Sequence, residues 1–360
     1  MVKSLICVPL KLENKTTGLL YLENNSSAGI FDKEKLEIID MLTYQLAIML
    51  ENVEIYRVLD RLNRTLENKI KQRTREVERQ NDEINSQKDE ILAQRDMLVE
   101  QKNKIEEQNK SVTDSIRYAS RIQQAIMHAD ELIRFFFPKH FILYLPRDIV
   151  SGDFYWIGQR DNKIILAVID CTGHVVPGAF MSVLGSSLLN EIIGKIKPLY
   201  AHEILNELRD RIIISLHQTG TMFEAKDGMD LALCIFEQDS MNIQFAGAFN
   251  SLLIIRDTEM ILIKGDQMPV GIGDKAGTSF TNHVLELQKG DSLYMFTDGF
   301  ASQFGGPERK SLGVNRLKEW LAGMQDKIMF EQKTLLEDKF KEWKGLEEQI
   351  DDVLVMGIKI

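Results

Sequence analysis

The sequence predicts an α+β protein in which a short strand–strand–helix segment and a long heptad helix precede a strand-rich domain. Three patterns carry that prediction. Two strand-like stretches, residues 4–10 and 18–23, flank a polar turn at 13–17 and are followed by an amphipathic run. Apolar residues then recur every seven positions from Ile70 to Val112. Beyond residue 127, apolar runs of strand length sit repeatedly beside turns that contain aspartate.

The chain has 360 residues, 44% hydrophobic and 27% charged, which is long enough for more than one domain and a sizeable core. A formal charge of −10 disfavours nucleic acid and an anionic membrane surface as partners, and is compatible with divalent cations. Cys7, Cys171 and Cys234 are too widely spaced for a disulfide framework or a zinc pattern, so a cytoplasmic, reducing setting is expected. No run approaches about 18 apolar residues, and no membrane span is expected.

In residues 1–57, Asp32 is the expected N-cap of a helix with Glu34 in its first turn and Leu36, Ile39, Leu42, Leu46 and Leu50 among its apolar positions. The segments CVPL, GLLYLENN and LEIIDMLTYQLAIMLENVEIY resemble the C-terminal half of a GAF domain, a small sensor and dimerisation module. The resemblance lacks that family's N-terminal strand and helix. It implies a partial GAF-like segment with an incomplete ligand pocket, and a chain that is a piece of a longer protein.

Residues 58–127 read as a signalling coiled coil. Ile70, Val77, Ile84, Ile91, Leu98, Ile105 and Val112 occupy a; Leu59, Leu66, Arg73, Gln80, Gln87, Gln94, Gln101 and Gln108 occupy d. The absence of Gly and Pro from Glu51 to Phe137 permits an unbroken helix. β-branched a positions favour a parallel dimer, and the glutamines weaken it, which suits a coil that changes register or twist. After Val112 the spacing shifts to Ile116, Ala119, Ile122 and Ile126, and coupling into the next domain is expected there. A sensor histidine kinase would need a phosphoacceptor histidine on this helix, and no histidine precedes His128.

Residues 128–360 carry the chemistry. Acidic turns occur at Asp153 in SGDFYW, at Asp170 after the run 164–169, at Asp298 in the Asp-Gly turn after 291–297, and at Asp351-Asp352 before the final strand. Each alone is weak, but four beside strands suggest carboxylates converging on a metal. Oxygen-only donors select Mg²⁺ or Mn²⁺ over zinc. Two such ions can activate water and clamp a phosphoryl oxygen, so a phosphomonoester hydrolase would need no protein nucleophile. Neither a GxSxG elbow nor a cysteine phosphate loop is present. Pro177 opens an apolar helix after the Thr-Gly-His turn. Met181, Met268 and the cluster of Phe135, Phe136 and Phe137 are expected in the core.

The segments RDIVSGDFYW, VIDCTGHVVPGAFMSVLG, DGMDLALCIF, FAGAFNSLLIIRD, MPVGIG, GDSLYMFTDGFASQFGG and IDDVLVMGIKI follow in that order. Together they resemble the SpoIIE-like (RsbU-like) branch of metal-dependent Ser/Thr protein phosphatases across nearly all of residues 115–360. The resemblance implies a four-layer αββα sandwich over residues 128–360, with a pair of Mn²⁺ or Mg²⁺ ions at one end. By position, Asp170 would bridge both ions and the backbone carbonyl of Cys171 would bind the first. Asp153, Asp298 and Asp351 would serve the second. Asp352 would be a supporting or alternative group, and Asp230 a structural turn residue or a second-tier site residue. His174 would be a proton donor or phosphate-side contact, or else a residue that packs the turn. Residues 222–227 could form a flap.

Three positions depart from the family's wording. Val175 stands where it has Gly, and Phe249 and Ser302 stand where Asn and Asp are expected. Glycine at such a place usually serves a positive φ or a close backbone approach. The expected function is hydrolysis of phosphoserine or phosphothreonine on a regulatory protein, by resemblance an anti-sigma-factor antagonist in a bacterial partner-switching pathway. The alternative is a catalytically impaired interaction module. The coiled coil would make the protein a parallel homodimer.

Overall fold

The computed structural model describes residues 1–127, 130–173, 175–221 and 226–360. His174 and most of the expected flap therefore lie outside the described residues. The chain divides into two compact units, Met1–Ile105 and Glu106–Ile360.

In the first unit, β1 (Ser4–Leu12) and β2 (Lys15–Asn24) form an antiparallel hairpin that turns at Glu13, whose φ is 52°. Helix α1 (Lys33–Ile126) starts where Asp32 Oδ1 accepts the Lys35 N–H at 2.9 Å, as a capping aspartate does. It then runs 94 residues without interruption, through the boundary expected at residue 57. Among the described residues of this unit only Leu10, Thr43 and Ala47 are buried, so hairpin and helix have almost no core of their own. The heptad residues from Ile70 to Ile105 are each more than half exposed.

The second unit contains the C-terminal turns of α1, then α2 (Asp130–Phe136), β3 (His140–Leu145), β4 (Phe154–Arg160), β5 (Lys163–Cys171), α3 (Val176–Lys195) and α4 (Ala201–Ser215). These are followed by β6 (Gly228–Glu237), β7 (Asn242–Ala248), β8 (Leu252–Arg256), β9 (Glu259–Ile263), β10 (Val270–Gly271) and β11 (His283–Glu286). The chain closes with β12 (Ser292–Phe296), α5 (Gly299–Ser302), β13 (Phe304–Gly305), β14 (Lys310–Ser311), α6 (Val314–Ala322), α7 (Met329–Lys344) and β15 (Val353–Lys359).

Two antiparallel sheets result. One has the order β11-β7-β6-β5-β4 with β10 added on β6; the other has the order β3-β15-β12-β8-β9. Strand alternation divides their side chains among three cores. On β5, Leu166 and Val168 point between the sheets, where they meet Met295 of β12 and Leu354 and Met356 of β15. Ile165, Ala167 and Ile169 point the other way and pack under Leu189 and Ile192 of α3 and Leu205 and Leu208 of α4. On β12, Tyr294 and Phe296 face outward to Leu317 and Leu321 of α6 and Leu336 and Phe340 of α7. The layers are therefore α, β, β, α, as the resemblance implies. Among the described residues α3 alone is long and apolar enough to cross a membrane, and nine of its residues are buried in the core.

Met181 and Met268 are buried as expected, but the phenylalanine cluster splits. Phe137 is buried with Ile133 one helical turn before it, whereas Phe135 is 76% exposed. Three consecutive side chains on a helical turn cannot share one face, because each is rotated about 100° from the last.

Candidate metal centre

The carboxylates collect at one end of the sandwich because strands of both sheets end or begin there. On the first sheet Phe154 pairs with Ile169, which brings Asp153 beside Asp170, and Asp170 pairs directly with Asp230. On the second sheet Phe296 pairs with Val355, so β12 runs out into Thr297-Asp298 next to Asp351-Asp352. Gly299 packs so closely there that a Cβ on it would lie 1.9 Å from the Asp352 carbonyl oxygen and 3.3 Å from the Asp351 Cβ. Thr297 joins the sheets: its Oγ1 donates to Asp153 Oδ2 at 2.6 Å while its N–H donates to the Leu354 carbonyl at 3.0 Å.

Asp352 differs from its neighbour. Its two carboxylate oxygens accept the backbone N–H groups of Arg147 at 2.7 Å and Gly152 at 2.8 Å. It thereby pins the loop that carries Asp153, while its own N–H donates to Asp351 Oδ1. The same loop is held from its other side by Gln123 near the end of α1, which is 5% exposed. Gln123 Nε2 donates to the Ser151 carbonyl at 2.6 Å and to Ser182 Oγ of α3 at 2.8 Å. The packing face of this last stretch of α1 is Ile116, Ser120, Gln123 and Met127, whereas Ile122 and Ile126 are 46% and 44% exposed. Gln123, Thr297 and Tyr144, whose hydroxyl donates to the Asp153 carbonyl at 3.2 Å, are absent from the sequence-based expectation. For Gln123 a signal existed: it lies three residues after Ser120 and four before Met127, on the face that takes over when the heptads stop.

Asp153 is 2% exposed and lies beside Asp170, the residue after its neighbour's strand partner Ile169. Burial, and then the charges of Asp352 and Asp351, push Asp153 well above the ordinary carboxylate range against the opposing pull of Thr297. Asp170 is raised in the same sense by burial, then by Asp153, Asp298, Asp351 and Asp230. Burial followed by the charge of Asp298 lifts Asp230 to about 7. The Cys171 thiol is also pushed up, chiefly by burial, and its side chain packs in the outer core, so only its backbone is left for the site.

This donor set fits a hard divalent cation. Among the described residues, Asp153, Asp170, Asp230, Asp298 and Asp352 form no ion pair with a lysine, arginine or histidine, so among these residues no side-chain cation offsets their charge. Buried carboxylates are stable when they are paired or bind a metal. Among the described residues, no three His, Cys, Asp or Glu side chains close on a common point as a metal cage, so no coordination geometry follows from their positions.

The departures at Val175 and Phe249 coincide with unusual backbone. Val175 has φ 60° and ψ −120°, and Phe249 has φ 53°. A β-branched residue at positive φ is strained, since its branched Cβ meets the neighbouring carbonyl. Val175 immediately precedes α3, whose first turn is fixed by close packing: a Cβ on Gly178 would meet the Gly173 carbonyl oxygen at 2.2 Å. Ser302 reaches the site directly, with its Oγ donating to Asp298 Oδ2 at 3.3 Å.

Residues 160–360 match the family model described as Stage II sporulation protein E (SpoIIE). The SiaA-PP2C domain of Pseudomonas aeruginosa is similar at 30% identity with a TM-score of 0.63, over 70% of this chain and 98% of that one. The PP2C phosphatase domain and regulatory fragment of SpoIIE from Bacillus subtilis is similar at 18% identity with a TM-score of 0.48, over 62% of this chain and 61% of that one. A 54-residue stretch is 41% identical to the Hybrid signal transduction histidine kinase G of Dictyostelium discoideum; it is 15% of this chain and spans only 2% of that protein's length. With the four layers and the carboxylate end already in place, the match over more than half of its length makes the chain a member of the SpoIIE family, with a PP2C-type phosphatase domain.

Proposed function

We propose that the protein is a metal-dependent serine/threonine phosphatase that removes phosphate from a regulatory phosphoprotein, by resemblance an anti-sigma-factor antagonist. The observation that carries this reading is the gathering of carboxylates at one end of a PP2C-type fold, of which Asp153, Asp170, Asp230, Asp298 and Asp352 have no lysine, arginine or histidine ion-pair partner among the described residues. Asp170 would bridge two ions, a role supported by its position between Asp230, its strand partner, and Asp153 on the neighbouring loop. Asp153, Asp298 and Asp351, with the Cys171 carbonyl, complete the proposed ligands. Asp352 supports them by holding the Asp153 loop. Bound Mn²⁺ or Mg²⁺ would supply an activated water and positive charge for the phosphoryl oxygens. The residues themselves hold the ions and keep the site rigid, and the buried Thr297 and Gln123 fix the loop from opposite sides.

The exposed heptad stripe supports a parallel homodimer in the cytoplasm, in which a change in coil register reaches Asp153 through Gln123. Replacing Ile84 and Ile91 with lysine should give monomers in sedimentation; an unchanged dimer would place the interface elsewhere. The enzymatic reading is tested by phosphate release from a phosphoserine protein with and without Mn²⁺. Dependence on Mn²⁺ supports it, and its absence leaves the impaired-module alternative.

A further inference from the structure

We propose that two rigidly presented apolar patches bordering the carboxylate end, one of Val176 with Phe180 and one of Phe249, select phosphoprotein segments whose phosphorylated residue is flanked by apolar side chains. This rests on the phosphatase reading and names the substrate class of the same site.

Val176 and Phe180 are one helical turn apart at the start of α3 and are 43% and 73% exposed. Their backbone is fixed from the inner side. The Ala179 N–H donates to the Val175 carbonyl at 3.1 Å, and Ser182 Oγ, itself held by Gln123, donates to the Ala179 carbonyl at 2.8 Å. This helix start directly follows the turn after Asp170, so a bulky substrate seated on that carboxylate meets it.

Phe249 reaches the site from another element. Leu231 pairs with Ala248, so the antiparallel register brings Phe249, just past the strand end, level with Asp230, which pairs with Asp170. The Phe249 N–H is tied to the Asp266 carbonyl at 2.8 Å, and the backbone is held at φ 53° with the residue 41% exposed. An exposed aromatic residue in a left-handed conformation costs stability on both counts. A solvent-facing Asn or Gly would avoid both costs, so the ring calls for a contact beyond those the described residues supply. A protein phosphatase brings its substrate surface to this rim in every turnover, and apolar flanks would bury these rings.

The test uses the full chain with Mn²⁺ and three probes. Two are phosphoserine peptides of equal length and charge, one flanked by leucines and one by serines. The third, p-nitrophenyl phosphate, has no flanks and reports the chemistry alone. The native protein should use the leucine-flanked peptide roughly tenfold better in kcat/KM. Phe180→Ser and Phe249→Asn should each bring that ratio to about two or below. Equal use of the two peptides by the native protein would overturn the proposal. So would variants that slow all three probes alike, or that change only the sedimentation of the protein. If none of the probes is hydrolysed, the phosphatase reading fails instead. Fluorescence anisotropy of the labelled peptides then still decides docking, because tighter binding of the leucine-flanked peptide needs no turnover.

Discussion

Beside the two ends of β12 lie buried aspartates of opposite character. Asp291, just before the strand, is 1% exposed; Asp153, bonded to Thr297 just after it, is 2% exposed. Asp291 receives Arg256 Nε at 3.0 Å and Nη2 at 2.8 Å together with the Gln288 N–H at 2.8 Å. Burial alone would raise its carboxyl pKa, but the Arg256 and Gln288 hydrogen bonds overcome that and hold it below the ordinary range. Asp153 faces other carboxylates and is pushed the other way. Equal burial with opposite partners separates a carboxylate that stabilises the fold from one that the fold holds at a cost. The second kind marks a place where a ligand is expected to supply the missing charge.

The sharpest way to break this comparison is to neutralise one aspartate from each end. Asp170→Asn should lower phosphate release on the order of 10²–10³-fold, while melting of the metal-free protein stays level or rises. Asp291→Ala should instead destabilise the protein by about 1–3 kcal/mol, because it strips the partner from Arg256. If both substitutions destabilise alike and Asp170→Asn retains turnover, the two ends do not differ as argued.

The next test is pH. Asp230 has its pKa raised from 3.8 to about 7, so between those values the unfolded chain has already lost a proton that the folded chain keeps. Metal-free stability should therefore fall as pH rises through that window, and Mn²⁺ should restore it at neutral pH. Asp291 acts in the opposite sense: its stabilisation is present above the unfolded carboxylate pKa and is lost as pH falls through its lowered folded value. Denaturant melts across pH with and without Mn²⁺ separate the two signs. Metal-free stability that climbs through the Asp230 window would remove the unfavourable contribution assigned to the carboxylate end.

The smallest effect concerns the strain next to the site. Val175→Gly should raise stability by about 1–2 kcal/mol, since glycine adopts φ 60° without a Cβ penalty. A loss of stability on denaturant titration would show that packing of the valine outweighs its backbone strain.

Periodicity made much of this molecule legible in advance. Seven-residue spacing with no Gly or Pro gave the long helix, and apolar runs followed or preceded by aspartate gave β5, β12 and β15 with acids at one end. Four acidic turns beside strands suggested that those acids converge, but which strands bring them together was not readable, because strand order is a long-range property. Val175 drew attention as a substituted glycine, and its positive φ supplies the physical reason. Gln123 escaped because a polar residue on an exposed-looking helix is not an obvious candidate for burial; its spacing from Ser120 and Met127 was the one signal, and its packing against Ser151 and Ser182 shows what it does. The cluster of Phe135, Phe136 and Phe137 misled for the converse reason, since apolar identity says nothing about which face of a helical turn is covered.

The central claim is that the uncompensated carboxylate end is a divalent-metal phosphatase centre. It is tested most directly by titrating Mn²⁺ into the metal-stripped protein while following phosphate release from a phosphoserine protein. The account predicts saturable activation that Asp170→Asn abolishes. Phosphate release that is indifferent to Mn²⁺, or that Asp170→Asn leaves unchanged, would contradict it.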